Sequence, residues 1–120
     1  MSILVNENTK LIVQGITGRE GSYHASLMKK YGTKVVAGVT PGKGGQEIKE
    51  IPVFNSVDEA VKNTEANASI LFVPPRFTKD GILEAIDGGM KLIVTVAEGV
   101  PVHDMLLTCS YARLNNCILI

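Results

Sequence analysis

The chain has no surplus of either charge: 12 Lys and Arg offset 12 Asp and Glu over 120 residues. That balance argues against a nucleic-acid partner, because such proteins carry a basic excess or stripe. Long apolar runs are missing too. None approaches the roughly 18 residues that a bilayer span needs, so no membrane partner is expected. Cysteine is scarce. Cys109 and Cys117 alone make neither a disulfide framework nor a metal quartet, so no metal site is expected. Reducing conditions, and hence a cytoplasmic location, are the default reading. The opening Met1-Ser-Ile-Leu-Val-Asn-Glu-Asn8 lacks a basic region, a long apolar stretch and an Arg-rich character. It reads as neither a secretory leader nor a transit peptide. Repeats, low-complexity stretches and linkers are absent as well.

Apolar residues are plentiful, at 45% of the chain, so a core can be buried and wholesale disorder is excluded. The length suits one domain. Glycine is in surplus, with 12 of 120 residues against an average of about 7%.

Short apolar runs rich in β-branched residues recur along the chain. They are Lys10–Gly15, Lys34–Val39, Pro52–Phe54, Ser69–Val73, Lys91–Val96 and Cys117–Ile120. Continuous runs of this kind suit strands covered on both faces. Helix signals lie between them. Ser22–Tyr31 ends at Gly32, a good residue just past a helix. Ser56 and Glu59 are spaced as a capping box, ahead of the stripe Val57, Ala60 and Val61. Thr78 is placed to cap a third helix carrying Ile82, Leu83 and Ile86, with Gly88-Gly89 to stop it. Pro101 suits the first position of a fourth, in which Val102, Met105, Leu106 and Cys109 form the apolar spacing and Asn115-Asn116 the end. Strand–helix alternation predicts an α/β, Rossmann-like doubly wound, mostly parallel sheet with helices on both faces, over residues 1–120. Because the last strand falls at the end of the chain, a domain from a longer protein is the expectation.

The glycines concentrate the chemistry. Gly15-Ile-Thr-Gly18-Arg-Glu-Gly21 lies between the first strand and the first helix. Glycine permits a tight turn and close backbone approach to a phosphate. The helix that follows adds free N–H groups and a positive dipole end, and Thr17 adds a hydroxyl. A ligand-free βα turn has the same spacing, but the position after a first strand favours a phosphate. An NAD site wants an acid roughly 20 residues further on, to hold the ribose hydroxyls. Here the second strand runs into Val39-Thr-Pro-Gly-Lys-Gly-Gly45, with no acid and with Lys43 between glycines. A cation there suits an extra ribose phosphate, as in NADP or in coenzyme A, and the residues leave both open. The loop Val73-Pro74-Pro75-Arg76-Phe77 belongs to the opposite wall of the crevice, where Pro74 and Pro75 can pack on a flat base. Glu98 opens at the same edge as a candidate site residue, although an acid favouring the next helix start is the cheaper reading.

Taken together these loops resemble the amino-terminal half of the α subunit of succinyl-CoA synthetase, the succinate–CoA ligase family. The resemblance spans essentially the whole chain. It rests on Ser2-Ile-Leu-Val-Asn, Val13-Gln-Gly-Ile-Thr-Gly18, Tyr31-Gly-Thr-Lys, Gly38-Val-Thr-Pro-Gly-Lys-Gly-Gly45, Pro52-Val-Phe-Asn55, Leu83-Glu-Ala-Ile-Asp87 and Glu98-Gly-Val-Pro101. It implies a coenzyme A-binding domain of an acid–thiol ligase of the tricarboxylic acid cycle. Coenzyme A would contact Thr17, Gly18, Arg19, Glu20 and Gly21, then Lys43, then Pro74, Val96, Ala97 and Glu98. It also implies a β subunit as partner and ATP or GTP as the nucleotide. Some residues depart from the family pattern. Arg19 and Glu20 put charges inside the glycine turn, Ala97 replaces a hydroxyl residue, and Pro75-Arg76 replaces an Ala-Pro pair.

No catalytic residue is assigned in this chain. The family's phosphorylated histidine lies in the second half of the α subunit, and neither His24 nor His103 corresponds to it. His24 reads as a packing or capping residue in the first turn of the first helix, and His103 as part of a solvated face. Cys109 and Cys117 read as small buried residues. The 120-residue chain alone is expected to be inactive. Two other readings remain at this point: a free-standing coenzyme A-binding regulatory module, and an NADP-binding oxidoreductase domain.

Overall fold

A computed structural model describes residues 8–96, 100 and 102–120. Its strands are β1 (Leu11–Gln14), β2 (Val35–Val39), β3 (Glu47–Ile48), β4 (Ile51–Phe54), β5 (Ala68–Leu71), β6 (Leu92–Thr95) and β7 (Ile118–Leu119). Its helices are α1 (Arg19–Lys30), α2 (Val57–Thr64), α3 (Pro75–Asp87) and α4 (Val102–Leu114). The strands form one sheet in the order β3-β4-β2-β1-β5-β6-β7. All pairings are parallel except that of β3 with β4.

Side-chain alternation splits the core in two. Ile12, Ala37, Val39, Leu71 and Ile93 face Val57, Ala60, Ile82, Ala85, Ile86 and Ala112 of α2, α3 and α4. Leu11, Val13, Val35, Val53, Ala68 and Leu92 face the other way, toward Ala25 and Met28 of α1. Helices therefore cover both faces, three on one and one on the other. Burying a side chain such as Ile12, Leu71, Ile82 or Ile93 completely contributes about 1.5–3 kcal/mol. β1 sits mid-sheet, and the strand order reverses there. A crevice opens at such a reversal, outside the carboxyl ends of the two strands involved, here β1 and β5.

Several local expectations are corrected. The first helix begins at Arg19, three residues before Ser22, so the glycine turn runs directly into it. His24 consequently lies in its second turn. Thr78 does not cap α3: Pro74 is the N-cap, and the Thr78 hydroxyl donates back to the Pro74 carbonyl at 3.3 Å inside the helix. Among the described side chains of α4 the buried ones are Thr108 and Ala112, while Leu106 and Cys109 are exposed. Cys109 is thus not a core residue, whereas Cys117 is buried as expected. β3 was not foreseen. It makes a tight hairpin with β4 through Lys49 and Glu50, both at positive φ (50° and 69°). Pro101, the side chains of Val102 and His103, and residues 1–7 lie outside the described residues.

Candidate functional site

The glycine turn is shaped by close approach. Gly15 sits at φ +84°, and a Cβ there would lie 2.7 Å from the Phe72 carbonyl oxygen. A Cβ on Gly21 would run into the Gly15 carbonyl oxygen and lie 3.1 Å from the Ile16 Cα. The turn thus nests between β5 and the start of α1 with no room for side chains at either position. Gly18 donates to the Gly15 carbonyl at 3.1 Å and then serves as N-cap, with no side chain to bond the first N–H groups of the helix. Those of Arg19 and Glu20 point outward from a positive helix end at the crevice. The start of α2, by contrast, is closed: Ser56 Oγ accepts from Glu59 N–H at 3.2 Å, and Glu84 Oε2 accepts from Val57 N–H at 2.7 Å. Glu20 turns its carboxylate along α1 to His24, 3.3 Å away, so its charge is directed off the helix end.

The loop after β2 is tied to this turn. The Thr40 hydroxyl lies 3.1 Å from that of Thr17 and 3.4 Å from the Thr17 N–H. Thr40 N–H donates to Phe54 O at 3.1 Å, and Lys43 N–H to Thr40 O at 3.1 Å. Gly44 N–H donates to Asn55 Oδ1 at 2.8 Å, and Gly45 N–H to Val53 O at 3.0 Å. Lys43 itself is exposed, at the tip of a loop whose two ends are fixed.

Two clefts flank the reversal point. One, of about 570 Å³, is walled by Thr40 and Pro41 on one side and by Val73, Phe77 and Asp80 on the other, with Gln14 in its lining. The second, of about 730 Å³, lies on the α1 face between His24, Met28, Ile70, Phe72 and Val96. They share Gly18, Phe72, Val73 and Pro74, so each opens onto the start of α1. Two mostly apolar clefts and the start of α1 therefore adjoin one another.

The residues singled out from the sequence separate on this geometry. Thr17, Gly18, Arg19, Glu20, Pro74 and Val96 line one or both clefts. Gly21 is buried behind the turn, and Lys43 stands outside both linings. Ala97 and Glu98 lie outside the described residues. Arg76 is exposed, with its guanidinium 4.9 Å over the Phe77 ring.

Sequence reasoning missed Gln14, Phe72 and Asp80, and named Thr40, Pro41 and Phe77 only as members of their loops. Gln14 is only 3% exposed. Its Nε2 donates to Gly81 O at 3.1 Å, and its Oε1 accepts from Ser69 Oγ at 2.5 Å, locking β1, β5 and α3 together. An amide inside an otherwise apolar strand was the available signal. His24 was undervalued. Its ring stacks on Phe72 (centroids 5.1 Å apart, planes at 3°) and forms part of the wall of the second cleft. Among the described residues, no three His, Cys, Asp or Glu gather to hold a metal ion. Nor is any helix among them long and apolar enough to cross a membrane.

Comparison with known proteins gives a family match. Residues 6–99 fit the model of the CoA binding domain. The chain is 59% identical over 115 residues to the α subunit of an ADP-forming succinate–CoA ligase of Aquifex aeolicus, covering 96% of this chain and 38% of that protein. It is 51% identical over 113 residues to a malate–CoA ligase α subunit of Methylorubrum extorquens, covering 94% of this chain and 38% of that protein. This chain thus spans under two-fifths of the length of either relative. In fold it is similar to a WlbA dehydrogenase of Chromobacterium violaceum solved with NADH and UDP-GlcNAcA, with a TM-score of 0.76 at 16% identity, over 97% of this chain and 35% of that one.

Proposed function

The chain belongs to the CoA-binding domain family, and from that premise we propose that it holds coenzyme A at the crevice between β1 and β5 for an acid–thiol ligase. The observation that carries the reading is the continuity of the two clefts through Gly18, at an uncapped helix start. Four groups of coenzyme A each have a counterpart here. The adenine takes the slot between Pro41 and Val73, Pro74 and Phe77. The diphosphate takes the N–H groups of Arg19 and Glu20, with Thr17, Gly18 and Gly21 shaping the turn. The pantetheine arm crosses Gly18 into the apolar channel toward Val96; Ala97 and Glu98, which follow it in sequence, are the further contacts the reading expects. Lys43 takes the 3′-phosphate. NAD would want an acid at the end of β2, where Thr40-Pro41-Gly42-Lys43 stands instead; a cation at Lys43 suits NADP as well as coenzyme A.

The domain's contribution is positional. Fixing the nucleotide end directs the thiol along one channel and excludes water from the arm, which converts an encounter into an oriented approach. No residue here acts as nucleophile or base in this reading. The whole enzyme would be a succinate–CoA ligase, joining succinate and coenzyme A as a thioester while a nucleoside triphosphate is cleaved to the diphosphate and phosphate, with a phosphohistidine segment and a β subunit supplying the rest. The 120-residue chain would be its coenzyme A-holding part, in the cytoplasm. The names of relatives similar over nearly the whole chain support that assignment. Calorimetric titration tests it: coenzyme A should bind to a single site, and NADP should bind at least ten-fold more weakly. Equal or tighter binding of NADP overturns it.

A further inference from the structure

We infer that Asn55 is a positioning residue for Lys43, and that discrimination for the ribose 3′-phosphate depends on its bond to Gly44. The inference rests on the coenzyme A reading above. Lys43 sits between Gly42, at φ +83°, and Gly44. Glycine neighbours leave a lysine backbone free to wander, because glycine has the most conformational freedom to lose on ordering. Within the loop Lys43 N–H donates to Thr40 O at 3.1 Å and Lys43 O accepts from Gln46 N–H at 3.4 Å, and bonds from outside the loop fix that turn in place. Before Lys43 the anchor is Thr40, tied to Thr17 and to the Phe54 carbonyl. After it, the first anchor is the 2.8 Å bond from Gly44 N–H to Asn55 Oδ1, followed by Gly45 N–H on Val53 O. Val53, Phe54 and Asn55 are consecutive, at the end of β4, which pairs with β2. One rigid strand end thus grips the loop on both sides of Lys43.

The fit at Gly44 is close. A Cβ there would lie 2.5 Å from Asn55 Nδ2 and 2.7 Å from its Cγ, so only glycine leaves the carboxamide in place. The φ of Gly44 is not in the left-handed region, so this is a demand for space and not for backbone freedom. The sequence Pro-Gly-Lys-Gly then divides its roles: Gly42 makes the turn, Lys43 carries the charge, and Gly44 admits Asn55.

The test compares coenzyme A with dephospho-coenzyme A, which lacks only the 3′-phosphate, by calorimetry. In the parent chain coenzyme A should bind more tightly. Asn55→Ala, and separately Gly44→Ala, should weaken coenzyme A roughly three- to ten-fold, the range expected from losing one neutral hydrogen bond. Dephospho-coenzyme A should change less than two-fold, which also reports that each variant is folded. In a Lys43→Ala background, Asn55→Ala should have no further effect on coenzyme A, because the lysine it acts through is gone. Equal weakening of both ligands by Asn55→Ala overturns the inference, as does an undiminished effect in the Lys43→Ala background. If the parent chain binds neither ligand, the coenzyme A reading itself fails. If it binds coenzyme A and Asn55→Ala leaves the ratio unchanged, only the role of Asn55 fails.

Discussion

Replacing Gly21 by alanine sets two effects against each other. Within a helix, Gly→Ala gains up to ~1 kcal/mol from propensity. Gly21 is the third residue of α1, so the gain tends to the lower end. Against it stands the overlap of the new Cβ with the Gly15 carbonyl oxygen, with the carbonyl carbon at 3.0 Å and Ile16 Cα at 3.1 Å. All three are backbone atoms, so no rotamer change relieves the clash. The start of α1 must retreat from β1 instead, by about 1 Å, and overpacking of this kind costs roughly 1–3 kcal/mol. The net expectation is a loss of stability of about 1 kcal/mol or more. The retreat also moves the N–H groups of Arg19 and Glu20. A shift of ~1 Å takes a good N–H···O bond past its useful range. With each charge-assisted bond contributing about 1.5–3 kcal/mol, coenzyme A affinity should fall about ten-fold or more. Urea unfolding gives the first quantity and calorimetric titration the second. A Gly21→Ala chain that is more stable and binds coenzyme A unchanged would refute the reasoning.

Other consequences are as concrete. Lys43→Glu should weaken coenzyme A at least ten-fold in a titration, while Lys62→Glu, on the far helix α2, should leave it within two-fold; equal effects would mean nonspecific charge. Gln14→Leu removes the buried bonds to Ser69 and Gly81 and should destabilise the chain by about 1–3 kcal/mol in urea. In the native protein a thiol reagent should label Cys109 quickly and Cys117 only on unfolding. The pH dependence has a definite sign. The Tyr111 phenol donates to Asp87 Oδ1 at 2.6 Å, which raises its pKa above the ordinary 10.0, and burial raises that of Cys117 above 9.0. Both groups ionise first in the unfolded chain, so their contribution is full below pH 9 and is lost as pH rises through the folded values. The urea midpoint should fall above pH 9, and Tyr111→Phe with Cys117→Ala should flatten that fall.

Most of the sheet was readable because β1, β2, β5 and β6 are near-continuous apolar runs, fully buried in β1 and half-buried at Ile70 of β5 and Val94 of β6. β3 was not, being a two-residue edge strand of Glu47 and Ile48 whose turn uses Lys49 and Glu50 where glycine or asparagine would be usual. The start of α1 was misplaced because Gly21 looks like loop, when its lack of a side chain is what lets the helix reach the turn. α4 misled for another reason. Apolar residues occur all around it, so spacing did not distinguish buried Thr108 and Ala112 from exposed Leu106 and Leu107. Thr108 tolerates burial because its hydroxyl donates to Met105 O at 3.0 Å. At the candidate site the glycine loops were legible as sequence, since turns constrain residue type. Of the walls, the loop of Val73, Pro74 and Phe77 was anticipated, while Asp80, on a helix whose orientation is fixed by tertiary packing, and Phe72, just past a strand, were not.

Amide chemical shifts recorded while coenzyme A is added test the central claim most directly. The account predicts that the largest changes fall on residues 17–21 and on Thr40, Gly42, Lys43, Gly44 and Gly45. Changes confined to α2, α4 or β7, with the glycine turn unmoved at saturating coenzyme A, would contradict it.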